Sequence, residues 1–290
     1  MNRRLIRKKL SPFVPWGEMI PRPVLEARLE AAVREGQHAA IFASTGYGKT
    51  TLVAKWCKDL APAWVTLDAE DADLDVFLAY LISAFERALE SFDTEARGML
   101  GRAREREGAM AALSVLLADL DEQCDRPLVL ILDDYHLAAS PSLDALVARL
   151  LKYLPEPIRL VLVSRQQPDI GLAALQARRR VLVLGETELR FGTDELRSLR
   201  PDLDDQGIAS LLETTGGWPA AMGMPPELLE AFLEEQVLSP QPPEVRYLLQ
   251  RLALVDVFDA DLCESALHVP LTQERRSFLL QHRLILPHGE

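Results

Sequence analysis

The segment Ala43-Ser44-Thr45-Gly46-Tyr47-Gly48-Lys49-Thr50 sets two glycines, an ammonium and a hydroxyl side by side. Such a stretch can wrap around phosphate. Glycines let the backbone turn its N–H groups inward, and a following helix N-terminus adds positive potential. Lys49 suits the β- and γ-phosphates, the Thr50 hydroxyl suits Mg²⁺, and Thr51 falls near the α-phosphate. Thr45, Gly46 and Gly48 belong to the wrapped backbone. The full G-x-x-x-x-G-K-[ST] pattern is broken at its first glycine, which is Ala43 here. A chance Gly-Lys-Thr at an ordinary strand-turn-helix is the competing reading.

A second constellation is Asp133-Asp134, directly after the apolar run Leu128-Val129-Leu130-Ile131-Leu132. Asp133 would hold Mg²⁺ through water, and Asp134 would orient or deprotonate an attacking water. Two acids after an apolar strand also occur by chance. Arg165 ends another apolar run and fits either a reader of the γ-phosphate or a surface arginine. His136 reads as a capping or packing residue before a catalytic one.

These groups need elements to position them. Ala39-Ala40-Ile41-Phe42 predicts a strand before the glycine loop, and Leu52, Val53 and Trp56 predict a helix from Lys49 to Leu60. Further strands are expected at Trp64–Asp68, Pro127–Asp133, Pro157–Val163 and Val181–Leu184. Continuous apolar runs of this kind suit parallel strands buried on both faces. Helices are expected over 24–34, 76–89, 109–123 and 142–153. The acids Glu70, Asp71, Asp73 and Asp75 read as a solvated turn and helix start. Residues 193–199, 204–214 and 226–237 read as short helices, with Thr193 as a cap and Gly216–Pro219 as a turn. Residues 243–267 read as two more. The last apolar segment, Phe278–Leu280 and Leu284–Leu286, has no cap in sight and reads as a chain that continues.

The 290 residues are 48% hydrophobic and 26% charged, ordinary for a globular protein with room for two or three units. The net charge of −12 argues against gripping nucleic acid over a broad face. Arg3, Arg4, Arg7, Lys8 and Lys9 lead into proline-rich residues 11–24 rather than an apolar stretch. They read as a solvated basic arm, not a signal peptide or membrane span. Cys57, Cys124 and Cys263 show no pairing pattern, and the histidines no ligand spacing, so a reducing cytoplasm is expected and zinc is not.

Thr45–Leu52, Leu130–Leu137, Leu162–Arg165 and Gly217-Trp218-Pro219-Ala220-Ala221 occur in that order. Together they resemble the N-terminal part of the large ATP-binding LuxR-type (MalT-like) transcriptional regulators. Those regulators belong to the STAND class of NTPases, relatives of the NB-ARC ATPases. The resemblance implies an α/β P-loop NTPase with a central, mostly parallel sheet, followed by an all-helical domain and a partial winged-helix-like domain. The corresponding ranges are an arm at 1–23, a nucleotide-binding domain at 24–190, a helical lid at 191–237 and the partial winged helix at 238–290. It implies ATP/ADP and Mg²⁺ as cofactors, self-association when ATP is bound, an unknown inducer, and DNA contact only through an output domain absent from this chain.

By position the resemblance makes Arg22 an arginine that touches the nucleotide from the linker. It makes Lys49, Thr50 and Thr51 the phosphate loop, Asp133 and Asp134 the Walker B acids, Arg165 the sensor, and Pro219 the proline packed on adenine. The segment after Met224 is short, and the histidine that senses ADP in relatives has no assignable counterpart. The resulting expectation is a regulatory switch with slow hydrolysis, hinged between residues 185 and 195. A continuously cycling ATPase and a small-molecule kinase are the alternatives; a pore loop, basic groove or acceptor site, which those would need, does not stand out.

Overall fold

The computed structural model describes residues 5–13, 19–101, 105–255, 257–281 and 284–285, with backbone only at Pro226. Part of the expected linker (14–18), Arg3 and Arg4, and Leu286 lie outside these.

Five strands form one parallel sheet: β1 His38–Phe42, β2 Ala63–Thr66, β3 Leu128–Asp133, β4 Ile158–Ser164 and β5 Val181–Leu184, in the order β2-β3-β4-β1-β5. The apolar runs are continuous because both faces are covered, and alternate residues serve opposite faces. Leu128, Leu130 and Leu132 of β3 pack with Phe77, Phe85 and Leu116. These come from the helices Leu74–Ala88 and Arg106–Gln123. Val129 and Ile131 point the other way, into Leu29, Leu52 and Val53 of the helices Pro23–Arg34 and Lys49–Trp56.

The register brings the strand ends together. Phe42 lies beside Ser164, and Thr66 beside Asp133. The chain leaves β1 and jumps across β4 and β3 to the edge strand β2. The glycine loop therefore sits at the topological switch point, where open α/β sheets hold ligands at the carboxyl ends of their strands.

Beyond β5 the described residues are helical or irregular. Thr193–Leu199, Asp205–Thr215 and Pro219–Gly223 share a small cluster of Leu196, Ile208 and Met222. Pro226–Leu233 runs into a single π turn, Glu234–Leu238. Pro243–Leu252, Ala260–Ser265 and Gln273–Gln281 close a further cluster on Leu248, Leu252, Cys263 and Leu279.

Several local expectations are corrected. The helix from Lys49 stops at Trp56, four residues early. Pro219 opens a helix instead of closing a turn, using the N1 position where its missing N–H costs nothing. Leu172–Ala177 and Gln273–Gln281 are helices that the periodicity does not mark. Thr193 does not cap its helix; Gly192 is the N-cap, and its N–H donates to Glu195 Oε2.

The described part of the arm is docked rather than free, although Arg7 and Lys8 are exposed. Arg7–Leu10 forms a 3₁₀ turn against β2, with Leu10 in the core. Lys9 is buried and paired with Asp71, itself fully buried, and with Asp68 at 3.0 Å; its ammonium also lies 4.3 Å from the Tyr80 ring centre. The acidic run is thus partly an internal socket rather than a solvated turn.

Candidate functional site

Gly46 and Gly48 take positive φ, +79° and +73°, which a side chain makes costly. That backbone delivers Lys49 and Thr50 into the first turn of the following helix, whose leading N–H groups have no partners within the helix. Lys49 is buried, and its Nζ donates to the Ser44 carbonyl at 2.9 Å. Burial, and then Arg165, lower its pKa to about 8, while Asp134, Asp133 and Glu186 oppose the shift. An ammonium in this position gains from a nearby polyanion.

Asp133 ends β3 and is almost fully buried. It accepts from Thr50 Oγ1 at 2.9 Å and from the Asp134 N–H at 3.0 Å. Burial, and then Asp134, raise its pKa to about 7. Asp134 sits at φ +54°, a strained conformation for a residue with a side chain, which lifts its carboxylate toward the cleft. Burial raises its pKa as well, against Lys49 and Arg165.

The Thr50 hydroxyl and the Asp133 carboxylate make a hard-oxygen pair that fits Mg²⁺. A divalent cation there would return Asp133 to its ionised form. Among the described residues no cluster of three or more His, Cys, Asp or Glu side chains could hold a metal alone.

The helical segment touches the loop directly. Trp218 Nε1 donates to the Thr45 carbonyl at 3.1 Å, and the Ala220 N–H donates to the Gly46 carbonyl at 3.1 Å. A Cβ on Gly46 would lie 2.6 Å from Ala220 Cβ and 2.8 Å from Trp218 Nε1. From the hinge, Glu186 Oε1 accepts from both the Ser44 N–H, at 2.8 Å, and the Ser44 hydroxyl, at 2.6 Å. Arg165 reaches out from β4 to the π turn, donating to the carbonyl and to Oε1 of Gln236 at 3.3 and 3.1 Å.

Every candidate from the sequence lines one cleft of about 1680 Å³: Arg22, Thr45, Gly46, Gly48, Lys49, Thr50, Thr51, Asp133, Asp134, Arg165 and Pro219. Arg22 needs a correction of emphasis. Its guanidinium donates to the carbonyls of Glu188, Leu189 and Arg190 and to Glu195, and it stacks on Phe191. It ties residues 188–195 to the start of the helix Pro23–Arg34 while still lining the cleft. Trp218, expected with Pro219 to close over the base, donates to the loop backbone, and Ser44, Glu186 and Ala220 are contacts that the sequence does not mark. Of these, Glu186, an acid just past a predicted strand, comes closest to a visible signal. The arm residues Lys9 and Phe13 also line the cleft and were not foreseen there.

Comparisons with known proteins bear on the fold and the family. A family model described as an AAA ATPase domain matches residues 21–163. The HTH-type transcriptional regulator MalT of Klebsiella pneumoniae subsp. pneumoniae is 32% identical over 229 residues, which are 75% of this chain and 24% of MalT. The chain thus spans about a quarter of the length of that curated relative. A Walker-type ATPase of Pyrococcus abyssi shares the fold, with a TM-score of 0.58 at 13% identity over 91% of this chain and 89% of its own. A STAND protein with a tetratricopeptide repeat sensor from Pyrococcus horikoshii aligns over 98% of this chain and 41% of its own, at 17% identity and a TM-score of 0.47.

Fold and site define a P-loop ATPase domain of the AAA type. More narrowly, three quarters of the chain is related to part of the HTH-type transcriptional regulator MalT. No helix among the described residues is long and apolar enough to cross a membrane.

Proposed function

We propose that the chain is the ATP/ADP-binding switch module of a signal-responsive transcriptional regulator. The observation that carries this reading is the pair of hydrogen bonds from Trp218 and Ala220 of the helical lid to the carbonyls of Thr45 and Gly46. A loop that must wrap phosphate is bonded through its own backbone to the element that must move. Whatever shifts the loop shifts the lid, and a ligand that favours one packing changes the population of both.

In this reading residues 24–190 bind nucleotide, 191–237 act as the lid, and 238–290 form part of a winged-helix domain. Lys49 neutralises the β- and γ-phosphates, Thr51 lies near the α-phosphate, and Pro219 packs on the adenine. Thr50 and Asp133 hold Mg²⁺, which supplies charge neutralisation on the phosphate oxygens. Asp134 orients and deprotonates the attacking water, and Arg165 senses the γ-phosphate. Hydrolysis is slow and resets the switch. The ATP form self-associates in answer to an inducer, and DNA is contacted outside this acidic chain.

Nucleotide released on denaturing the purified protein, together with the steady-state turnover rate, tests the reading. Retained adenine nucleotide and turnover well below one per second support it. Turnover at about 10 per second, the middle of the range for ordinary enzymes, would replace it with a continuously cycling ATPase.

A further inference from the structure

The amino ends of the strands, at the far end of the sheet from the cleft, gather arginines. Arg159 is the second residue of β4, and Arg178, Arg179 and Arg180 lead directly into β5. β1 lies between those two strands, and the His38 N–H donates to the Arg180 carbonyl at 2.9 Å. The Arg159 guanidinium lies over Gly36, where an added Cβ would stand 3.0 Å from its Nη2. Burial lowers the Arg159 pKa, Glu156 opposes the shift, and the nearby Arg180 adds to it. Arg178, Arg179 and Arg180 are exposed. None of the four arginines makes an ion pair among the described residues. Arg179 also sits at φ +53° just past the helix Leu172–Ala177, where glycine is the usual residue. The chain has 44 acids against 32 basic residues. Like charges gathered without carboxylates in such a chain repel one another, and an anionic surface from outside relieves that repulsion.

The opposite charge collects at the other end. Residues 201–245 hold nine acids and no lysine or arginine. Within them, the helix Pro226–Leu233 and the start of its π turn present Glu227, Glu230 and Glu234 as one exposed stripe, at spacings of three and four. Leu229, Phe232 and Leu233 form the half-buried side, and Phe232 lines the cleft. The three glutamates have no ion-pair partner among the described residues either. Leu228, 56% exposed, lies beside them and offers apolar area to a contact.

We propose that these two faces meet between copies of this chain: the arginine cluster at the amino ends of one copy's strands receives the glutamate stripe of the next, stacking the copies head to tail. Neither face can pair with itself, because like charges would be set opposite each other. The contact is therefore heterologous, and it repeats along a ring or a filament instead of closing as a two-fold dimer. This names the surface for the self-association in the proposed switch and rests on that reading. In that reading the stripe rides on the lid, so a nucleotide that moves the lid moves one of the two faces.

Analytical ultracentrifugation of the chain over a concentration series, with Mg-ADP and with a non-hydrolysable Mg-ATP analogue, tests it. One variant reverses the cluster, Arg178→Glu/Arg180→Glu. The other reverses the stripe, Glu227→Arg/Glu230→Arg. Each alone should associate at least about 10-fold more weakly than wild type in the ATP analogue, because like charges then face each other. Mixed one to one, the two should recover wild-type association, since each offers the other a complementary face. That recovery also shows that both variants are folded.

Variants that associate as wild type does overturn the inference. So does a mixture that fails to recover while both variants keep the wild-type melting temperature. If the reversed chains melt early, Arg178→Gln/Arg180→Gln and Glu227→Gln/Glu230→Gln decide: both must weaken association, and wild-type behaviour of either overturns the contact. Wild type that stays monomeric in both nucleotides removes self-association from the proposed function and this contact with it, even where Arg178 and Arg180 hold double-stranded DNA. Association in the ATP analogue that ignores every charge variant keeps the switch and sinks only this surface. Association that is equal in both nucleotides, yet lost and recovered by the variants, keeps the contact and removes its control by nucleotide.

Discussion

The two walls of the cleft are built differently. The sheet side is held by continuous cores on both faces of five parallel strands, with residues such as Leu130, Ile131 and Val161 fully buried. The helical side has a core of Leu196, Ile208 and Met222, and meets the sheet side through a handful of polar contacts. A wall over-determined by packing keeps its shape whatever the cleft holds. A wall fastened by single hydrogen bonds can be released by changes of one or two kcal/mol. In the proposed switch, phosphate chemistry falls to the first wall and conformational response to the second.

The largest expected effect separates the two glycines of the loop. Both hold positive φ, so alanine at either costs about 1–2 kcal/mol of strain. At Gly48 nothing lies within 4 Å of the added Cβ, whereas at Gly46 Ala220 and Trp218 stand in its way. Overpacking adds about 1–3 kcal/mol there. Gly46→Ala should therefore detach the helix Pro219–Gly223 from the loop, seen as loss of hydrogen-exchange protection at the Ala220 amide. Gly48→Ala should keep that protection and lower only the melting temperature. Equal behaviour of the two variants would mean that the contact between loop and lid is incidental.

Next is Arg22→Ala, which strips the carbonyls of Glu188, Leu189 and Arg190 of their donor and leaves Glu195 Oε1 without its ion-pair partner. A loss of about 2–3 kcal/mol is expected in denaturant unfolding. It should be confined to the transition that reports the helical segment. Arg22→Lys should recover little, because one ammonium cannot serve four acceptors in a fixed fork. A third and smaller effect is Trp218→Phe. It keeps an aromatic ring but loses the indole N–H that donates to Thr45, costing about 1.5 kcal/mol, and should raise exchange in the helix Pro219–Gly223 without moving the unfolding of the sheet.

The smallest effect falls on the rigid wall. His38 is buried, its Nδ1 accepts from the Leu160 N–H at 3.0 Å, and burial lowers its pKa to about 4. The folded form therefore resists a proton that the unfolded chain accepts near pH 6.5. Stability is full above that pH and is lost as pH falls toward 4. The loss is about 1 kcal/mol between pH 6.5 and 5.5. His136, lowered to about 3, adds a loss of the same sign. His38→Asn, which keeps an acceptor and cannot titrate, should remove about half of that slope.

The sequence displayed the rigid wall well because local patterns report local causes. An unbroken apolar run between polar ends announces β3, and two glycines before Lys-Thr announce the loop. Asp133, Asp134 and Arg165 follow by their place at strand ends, and all of them line the cleft. What it hid are pairings between distant residues. Nothing near Lys9 tells that its partner is Asp71, and nothing near Arg22 tells that its guanidinium serves carbonyls of residues 188–190. Gln273–Gln281 is concealed for another reason: QERRSFLLQ carries too few apolar positions to show a helical stripe. Thr193 misled because a hydroxyl at a helix start usually caps, whereas Glu195 closes back on Gly192 here.

The central claim is that Lys49 and the loop around it hold the phosphates of an adenine nucleotide. Calorimetric titration of Mg-ADP into the wild-type chain and into Lys49→Ala, after removal of any retained nucleotide, tests it most directly. The expected result is saturable one-to-one binding by wild type, weakened by about 100-fold or more, some 2.7 kcal/mol, in the variant. Equal affinity in the two proteins would contradict the claim.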